Sequence, residues 1–373
     1  MKHLLFFSLI ILFFSCSKPK TSENSHPKNI LENLTFELDT IHIHPGNELI
    51  DLSGILLMEY DGADQLYVFQ EKTAAIQEID LLEKRLVNSF HFEREGPDGI
   101  GSFISNIQAL PNKEFAIISY ETQGIYNSAG QQQTDLSLST LKDSQGSDES
   151  LPPPFEMRVS QDGKQAYALV GDFFEGSWSF ARADLASKHL KSWEMPEFLA
   201  AKSFTITLSG ESSFDLRAED IHLQTLRDQV LVMMGSTSSI YRYDPAIDSL
   251  QLITFPHQLT APEKEGEYPN EVSSSQEYQE IVAAIQSQIT YDRLVWDETR
   301  QSYFRLGTKK TASQPNRYEI FLYVYNPQLE LIGESLLGQF DTAPSTYFFK
   351  DGKLWTYVNV EDELGFAVFT FNL

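Results

Sequence analysis

Apolar and polar positions along this chain repeat one pattern six times. A short apolar segment, a turn and a stronger apolar segment recur as LLMEYDGADQLYVFQ from Leu56, ISNIQALPNKEFAIIS from Ile104 and FEMRVSQDGKQAYALVG from Phe155. The pattern continues as EDIHLQTLRDQVLVMMG from Glu219, YDRLVWDETRQSYFRLG from Tyr291 and PSTYFFKDGKLWTYVNV from Pro344. The second segments (LYVFQ, FAIIS, AYALV, VLVMM, SYFRL, LWTYV) are near-continuous apolar runs, as expected of strands covered on both faces. The turns carry Asp61-Gly62, Asp162-Gly163, Asp351-Gly352 or Pro111-Asn112, residues suited to tight hairpins, the Asp-Gly pairs because they tolerate positive φ. A second, less apolar hairpin follows, as in IQEIDLLEKRLVNSFHF, WSFARADLASKHLKSW, SIYRYDPAIDSLQLITF and IFLYVYNPQLELIGESLL. The predicted unit is therefore four strands, A to D. The A–B turns near 62, 112, 163, 228, 299 and 352 are spaced by 50, 51, 65, 71 and 53 residues, against ~40–50 per blade in kelch- and WD-type propellers.

The chain ends agree with this reading. The last unit stops at GFAVFTFNL, which lacks a fourth strand, while LTFELDTIHIHP at 34–45 is a strand with no hairpin partner. Supplying residues 34–45 as strand D of the last unit closes the ring and removes its open edges. The expected fold is all-β: a six-bladed β-propeller closed by an N-terminal strand, with one inserted helix. The aromatic content, 26 Phe, 16 Tyr and 4 Trp, suits strands. Two stretches break the repeat. Residues 140–154 are polar and end in three prolines, which predicts a loop between the second and third blades. Residues 256–290 contain a serine cap followed by Tyr278, Ile281, Val282, Ile285 and Ile289 at helical spacing. Both leave from connections between blades, and the face that carries those connections is expected to hold the ligand. A helix that merely covers an apolar patch is the plainer alternative.

The start of the chain reads as a targeting segment. Lys2 and His3 precede an apolar run from Leu4 to Phe14, shorter than the ~20 residues a membrane-spanning helix needs. Ser15 and then Cys16, the single cysteine, follow. This is the layout of a secretory signal, and LFFSC resembles a bacterial lipobox, in which the cysteine is lipidated. An ordinary signal peptide with a chance cysteine is the alternative. The lipid reading gives residues 1–15 as a lipoprotein signal, 16–33 as a flexible tether and 34–373 as the propeller, with 140–154 and 256–290 as loop insertions. Ser17 stands where an inner-membrane retention signal would place aspartate, so the outer membrane is expected. The net charge is −25, and removing residues 1–15 takes away one lysine and no acid. Such acidity argues against nucleic acid as a partner and fits solubility.

Three segments also carry a family resemblance. SQDGK at Ser160–Lys164 is similar to the turn of TolB-like propeller repeats, with Gln161 where proline is usual. FEREGPDGIGSF at Phe92–Phe103 resembles the loop leading into a new blade of propeller lipoproteins from the Bacteroidota. With the lipobox and YDRLVWDETRQSYFRL at Tyr291–Leu306, the chain resembles a Bacteroidota lipoprotein family classed as a domain of unknown function. The resemblance implies a six-bladed propeller and brings no catalytic residues with it.

Chemistry is sparse. Glu95 and Asp98 in the EGPDGIG loop could meet a cation or a sugar hydroxyl, although a tight turn with solvated acids explains them as well. His42 and His44 share one strand face but lack a third and fourth ligand, so no metal is expected. Arg94, Arg158, Arg217, Arg293 and Arg305, with Glu219, lie in or near the strands and loops around the channel. Arginines there could receive a carboxylate or uronic acid; ion pairing with the many acids is the plainer reading. No G-x-S-x-G elbow, H-E-x-x-H helix or cofactor motif appears. The expected function is a membrane-tethered binding or protein-interaction module, with a glycan, peptide or envelope protein as partner and no cofactor. A hydrolase or lyase acting on a glycan or lactone is the alternative, and it requires carboxylates or an Arg–Tyr–Glu cluster at the channel mouth. A purely architectural protein would show no pocket.

Overall fold

The computed structural model describes residues 29–373 apart from 55, 144–150, 211–213, 228 and 312–313. The signal segment, Cys16 and the tether as far as residue 28 lie outside the described residues. The described strands form seven sheets. Six contain antiparallel meanders that run from an inner strand A to an outer strand D, in chain order in the first five, while the N-terminal strand supplies D of the sixth.

The inner strands are Met58–Tyr60, Ile104–Leu110, Glu156–Val159, Ile221–Leu226, Thr290–Asp297 and Tyr347–Lys350. They pack against one another in sequence order. The sixth returns to the first: Tyr60 stacks on Phe348 at 4.4 Å between ring centroids, and Lys350 pairs with Asp64. The apolar B segments are the buried ones. Gln65–Gln70, Glu114–Ser119 and Gln229–Met234 are buried at every position but the first. Outer strands such as Arg85–His91 alternate towards solvent. Between neighbouring meanders the side chains interlock, as where Val68, Ile79, Phe366 and Val368 join the first to the sixth. Each such fully buried side chain contributes roughly 1.5–3 kcal/mol.

Strand Thr35–His42 pairs antiparallel with Glu363–Asn372, from Thr35 opposite Asn372 to His42 opposite Gly365. The unpartnered N-terminal strand and the incomplete last unit thus complete each other. The tight turns take the expected backbone: Gly62 has φ 86°, and Asp351 and Gly352 have φ 52° and 72°. Asp61 braces the first turn by accepting from the Ala63 and Gln65 amides.

Of the two predicted insertions, residues 138–143 form a short 3-10 turn and a two-residue strand, Lys142–Asp143, parallel to the outer strand of the third meander. The second contains helix Ser275–Gln286, and Ser274 accepts from the Glu277 amide as its N-cap. The seventh sheet was not anticipated. Ile206–Ser209 lies between antiparallel Phe214–Arg217 and parallel Glu271–Val272. It follows a 3-10 segment, Pro196–Phe204, and the helix covers it through Ile285 against Phe204, Ile206 and Leu208. No described helix is long and apolar enough to cross a membrane.

Candidate functional site

Polar side chains of the inner strands, Glu59, Arg158, Gln224 and Arg293 among them, come together at the middle of the ring. There they border a cavity of about 710 Å³. Its walls are the A–B turns of five meanders, at 61–64, 161, 225–227, 297–299 and 351, and its floor includes Glu59, Arg158, Arg293 and Tyr347. The insertions leave from the opposite ends of the inner strands. The large cavity therefore opens on the turn face, away from the decorated face where a ligand was expected.

Arg158 organises the floor. Its Nη1 donates to Glu59 Oε2 at 3.0 Å and to the Ile107 carbonyl at 3.2 Å, and its Nε donates to the Leu223 carbonyl at 3.3 Å. Glu156 lies 3.8 Å from Nη2 and accepts from the Leu223 amide at 2.6 Å. One guanidinium, on the third meander, thus fastens the first, second and fourth. Burial pushes the Glu156 carboxyl up to about 7 although Arg158 pulls it down.

Arg293 sits beside it by a different device. The fifth inner strand carries a register shift between Tyr291 and Leu294. Such bulges re-aim side chains. Arg293 lines the cavity, while Asp292 meets His222 at 3.5 Å. Burial lifts Asp292 to about 6 and depresses His222 to about 3, with the guanidinium of Arg293 adding to the latter. The imidazole is therefore neutral at physiological pH, and this contact is not an ion pair. Arg293 lies over the Tyr347 ring at 5.4 Å and donates to the Tyr347 carbonyl at 3.2 Å, while the Tyr347 hydroxyl donates to the Arg293 carbonyl at 2.7 Å.

The other candidates lie elsewhere. Arg94 donates to the Gly101, Ser102 and Glu71 carbonyls, and Asp98 accepts from the Gln132 amide at 2.9 Å. Both brace the EGPDGIG loop, where a Cβ on Gly99 would come within 2.8 Å of the Arg94 carbonyl. Glu95 is exposed beside them. Arg217, at the end of a strand of the seventh sheet, forms a group with the buried Glu219 and Lys264. Glu219 Oε1 accepts from Arg217 at 2.6 Å, and Lys264 Nζ donates to both carboxylate oxygens at 2.7 and 2.8 Å. Arg305 is fully buried between the fourth and fifth meanders, donating to the Asp292, Ser238 and Thr237 carbonyls over the Tyr291 ring. His42 and His44 are exposed, and no metal-binding group of three or more His, Cys, Asp or Glu exists among the described residues.

The structure thus brings Arg158 and Arg293 together at one cavity, pairs Arg217 with Glu219 elsewhere and leaves the other candidates away from that cavity. Sequence reasoning missed Glu59, Glu156, His222, Asp292 and Tyr347. The signal was present: the A segments EMRV and HLQTL alternate polar and apolar residues, while the B segments do not.

Comparison with known proteins agrees with the architecture. The model of a domain of unknown function, DUF4221, matches residues 27–336. The chain belongs to the DUF4221 family. A crystal structure of a DUF4221 member from Bacteroides vulgatus superposes with a TM-score of 0.62 at 14% identity, covering 91% of this chain and 98% of that one. The two proteins therefore share a fold. Weaker likenesses include an exported protein of Bacteroides fragilis (TM-score 0.49, 10% identity, 91% and 95% covered). An auxiliary nutrient binding protein of Bacteroides thetaiotaomicron (TM-score 0.45, 11% identity, 90% and 77% covered) is another. A search of curated proteins finds no match to this DUF4221 chain.

Proposed function

We propose that this DUF4221 chain is a six-bladed β-propeller that binds a ligand in its axial cavity, held at the outer membrane by a lipid on Cys16. The six meanders are the blades, and their inner strands form the channel wall. The observation that carries the reading is the cavity itself, whose volume lies within the 300–1,000 Å³ common to small-molecule sites and whose floor holds two arginines.

Binding is favoured over the hydrolase or lyase alternative by how the acids are used. Glu59 is paired with Arg158, Asp64 with Lys350 and Asp297 with Arg300. The carboxyls that burial lifts towards neutrality, Glu156, Asp220 and Asp292, do not line the cavity. An acid–base catalyst must reach the proton it moves. The architectural alternative predicts no pocket, and a pocket is present.

The test uses the chain from residue 17 onward in a melting-temperature screen of glycans, peptides, nucleotides and divalent ions, since a ligand selective for the native state raises the melting temperature. Hydrogen exchange then maps each hit. Protection at 58–66, 224–227, 293–299 and 346–351 is expected. Protection confined to 206–217 and 271–286, or no hit in the screen, would overturn the reading.

A further inference from the structure

We infer that the cavity selects a hydroxyl-rich ligand carrying a carboxylate, an acidic sugar of the uronic type, and that Arg293 is its anchor. The inference rests on the binding reading above and names the ligand class.

Among the described residues Arg293 has no carboxylate within ion-pairing distance, in a chain whose acidic residues outnumber its basic ones 53 to 28. Arg158, its neighbour on the floor, is already ion-paired with Glu59, and donates to two carbonyls. Arg293 spends one N–H on the Tyr347 carbonyl and keeps the rest of its fork. A guanidinium offers five donors in a plane that matches a carboxylate two bonds at a time. Tyr347 beneath it and the strand bulge behind it fix that plane at the cavity floor.

The walls define the remainder of the ligand. Asp61 and Glu298 at the rim and Gln161 and Gln224 on the walls offer hydrogen-bond partners suited to hydroxyls. Tyr60 and Trp296 present half-buried aromatic surface to the same space. A ligand with several negative charges would be repelled by the acidic rim, and one without a carboxylate would leave the remaining N–H groups of Arg293 without a forked acceptor. One carboxylate on a polyhydroxylated ring satisfies both.

Galacturonic acid and galactose, which differ only in the carboxylate, are titrated against the chain by saturation-transfer NMR. The chain is compared with Arg293→Gln and Arg293→Lys. Galacturonic acid is expected to bind at least tenfold more tightly than galactose. Arg293→Gln removes that preference, and Arg293→Lys, a point charge without the fork, restores part of it. Melting temperatures of the variants establish that they fold. Equal binding of the two sugars, with Arg293→Gln behaving as wild type, overturns the carboxylate inference and leaves the cavity reading intact. Binding of neither sugar also overturns it, and the cavity reading is then decided by the exchange map described above.

Discussion

Arg158 is a structural clasp as much as a wall residue. Its guanidinium joins four meanders through one plane, and its removal strands Glu59 and Glu156. Breaking a buried pair by deleting one partner costs about 3–5 kcal/mol. Arg158→Met should therefore lower unfolding stability in urea by that order, and adding Glu59→Gln should recover part of the loss. Glu156 contributes a pH dependence of definite sign. Its carboxyl moves from 4.5 to about 7 on folding, so the native state holds the proton more tightly. The stability this gives is complete below about pH 4.5 and is lost as pH rises through 7. His222 acts in the opposite sense between 6.5 and about 3, so the comparison is made between variant and wild type at each pH. Glu156→Gln should gain on wild type between pH 5 and 8 by up to about 3 kcal/mol, and an unchanged difference across that range would contradict the assignment.

At the scale of elements, the closing strand is the most consequential. Thr35–His42 covers the edge of Glu363–Asn372 over eight paired positions. A chain beginning at residue 46 leaves that edge open, a template for aggregation. Such a chain should melt well below the full one or precipitate, and a peptide of residues 29–45 added in trans should restore it. No difference in melting temperature would contradict the closure. This strand was legible in the sequence because an unpartnered strand at one end matched a missing one at the other. The helix was legible for its cap and its spacing. The seventh sheet was not: Ile206–Ser209 and Phe214–Arg217 are four residues each, and their third partner, Glu271–Val272, is two residues from a distant segment. So short a pairing leaves no period to read. Its one trace was the 65-residue interval between the third and fourth A–B turns, and the sequence reading assigned no insertion there.

For the molecule as a whole, the ring divides its two faces. One carries the insertions, the seventh sheet and exposed apolar side chains such as Phe103 and Phe214, 74% and 66% exposed. The other carries the short turns and the cavity. Sequence reasoning favoured the decorated face because long loops often hold function. The structure puts a cavity of about 710 Å³ where the loops are shortest, since the inner strands' polar positions and the turns between A and B meet there. Which polar residues face the axis depends on ring closure and on the bulge at 291–294, and neither is visible in a local pattern. Arg158 and Arg293 were therefore found as types but not as a pair.

Ligand binding by this molecule is assigned to the axial cavity. Thr225 lies on its wall, and Thr225→Trp places a large ring in that space without touching the floor or the insertions. The measurement is the melting-temperature shift that each stabilising ligand gives with wild type and with Thr225→Trp. The predicted result is a folded variant whose ligand shifts have vanished. A folded variant that responds to the same ligands as wild type would contradict the cavity as the binding site.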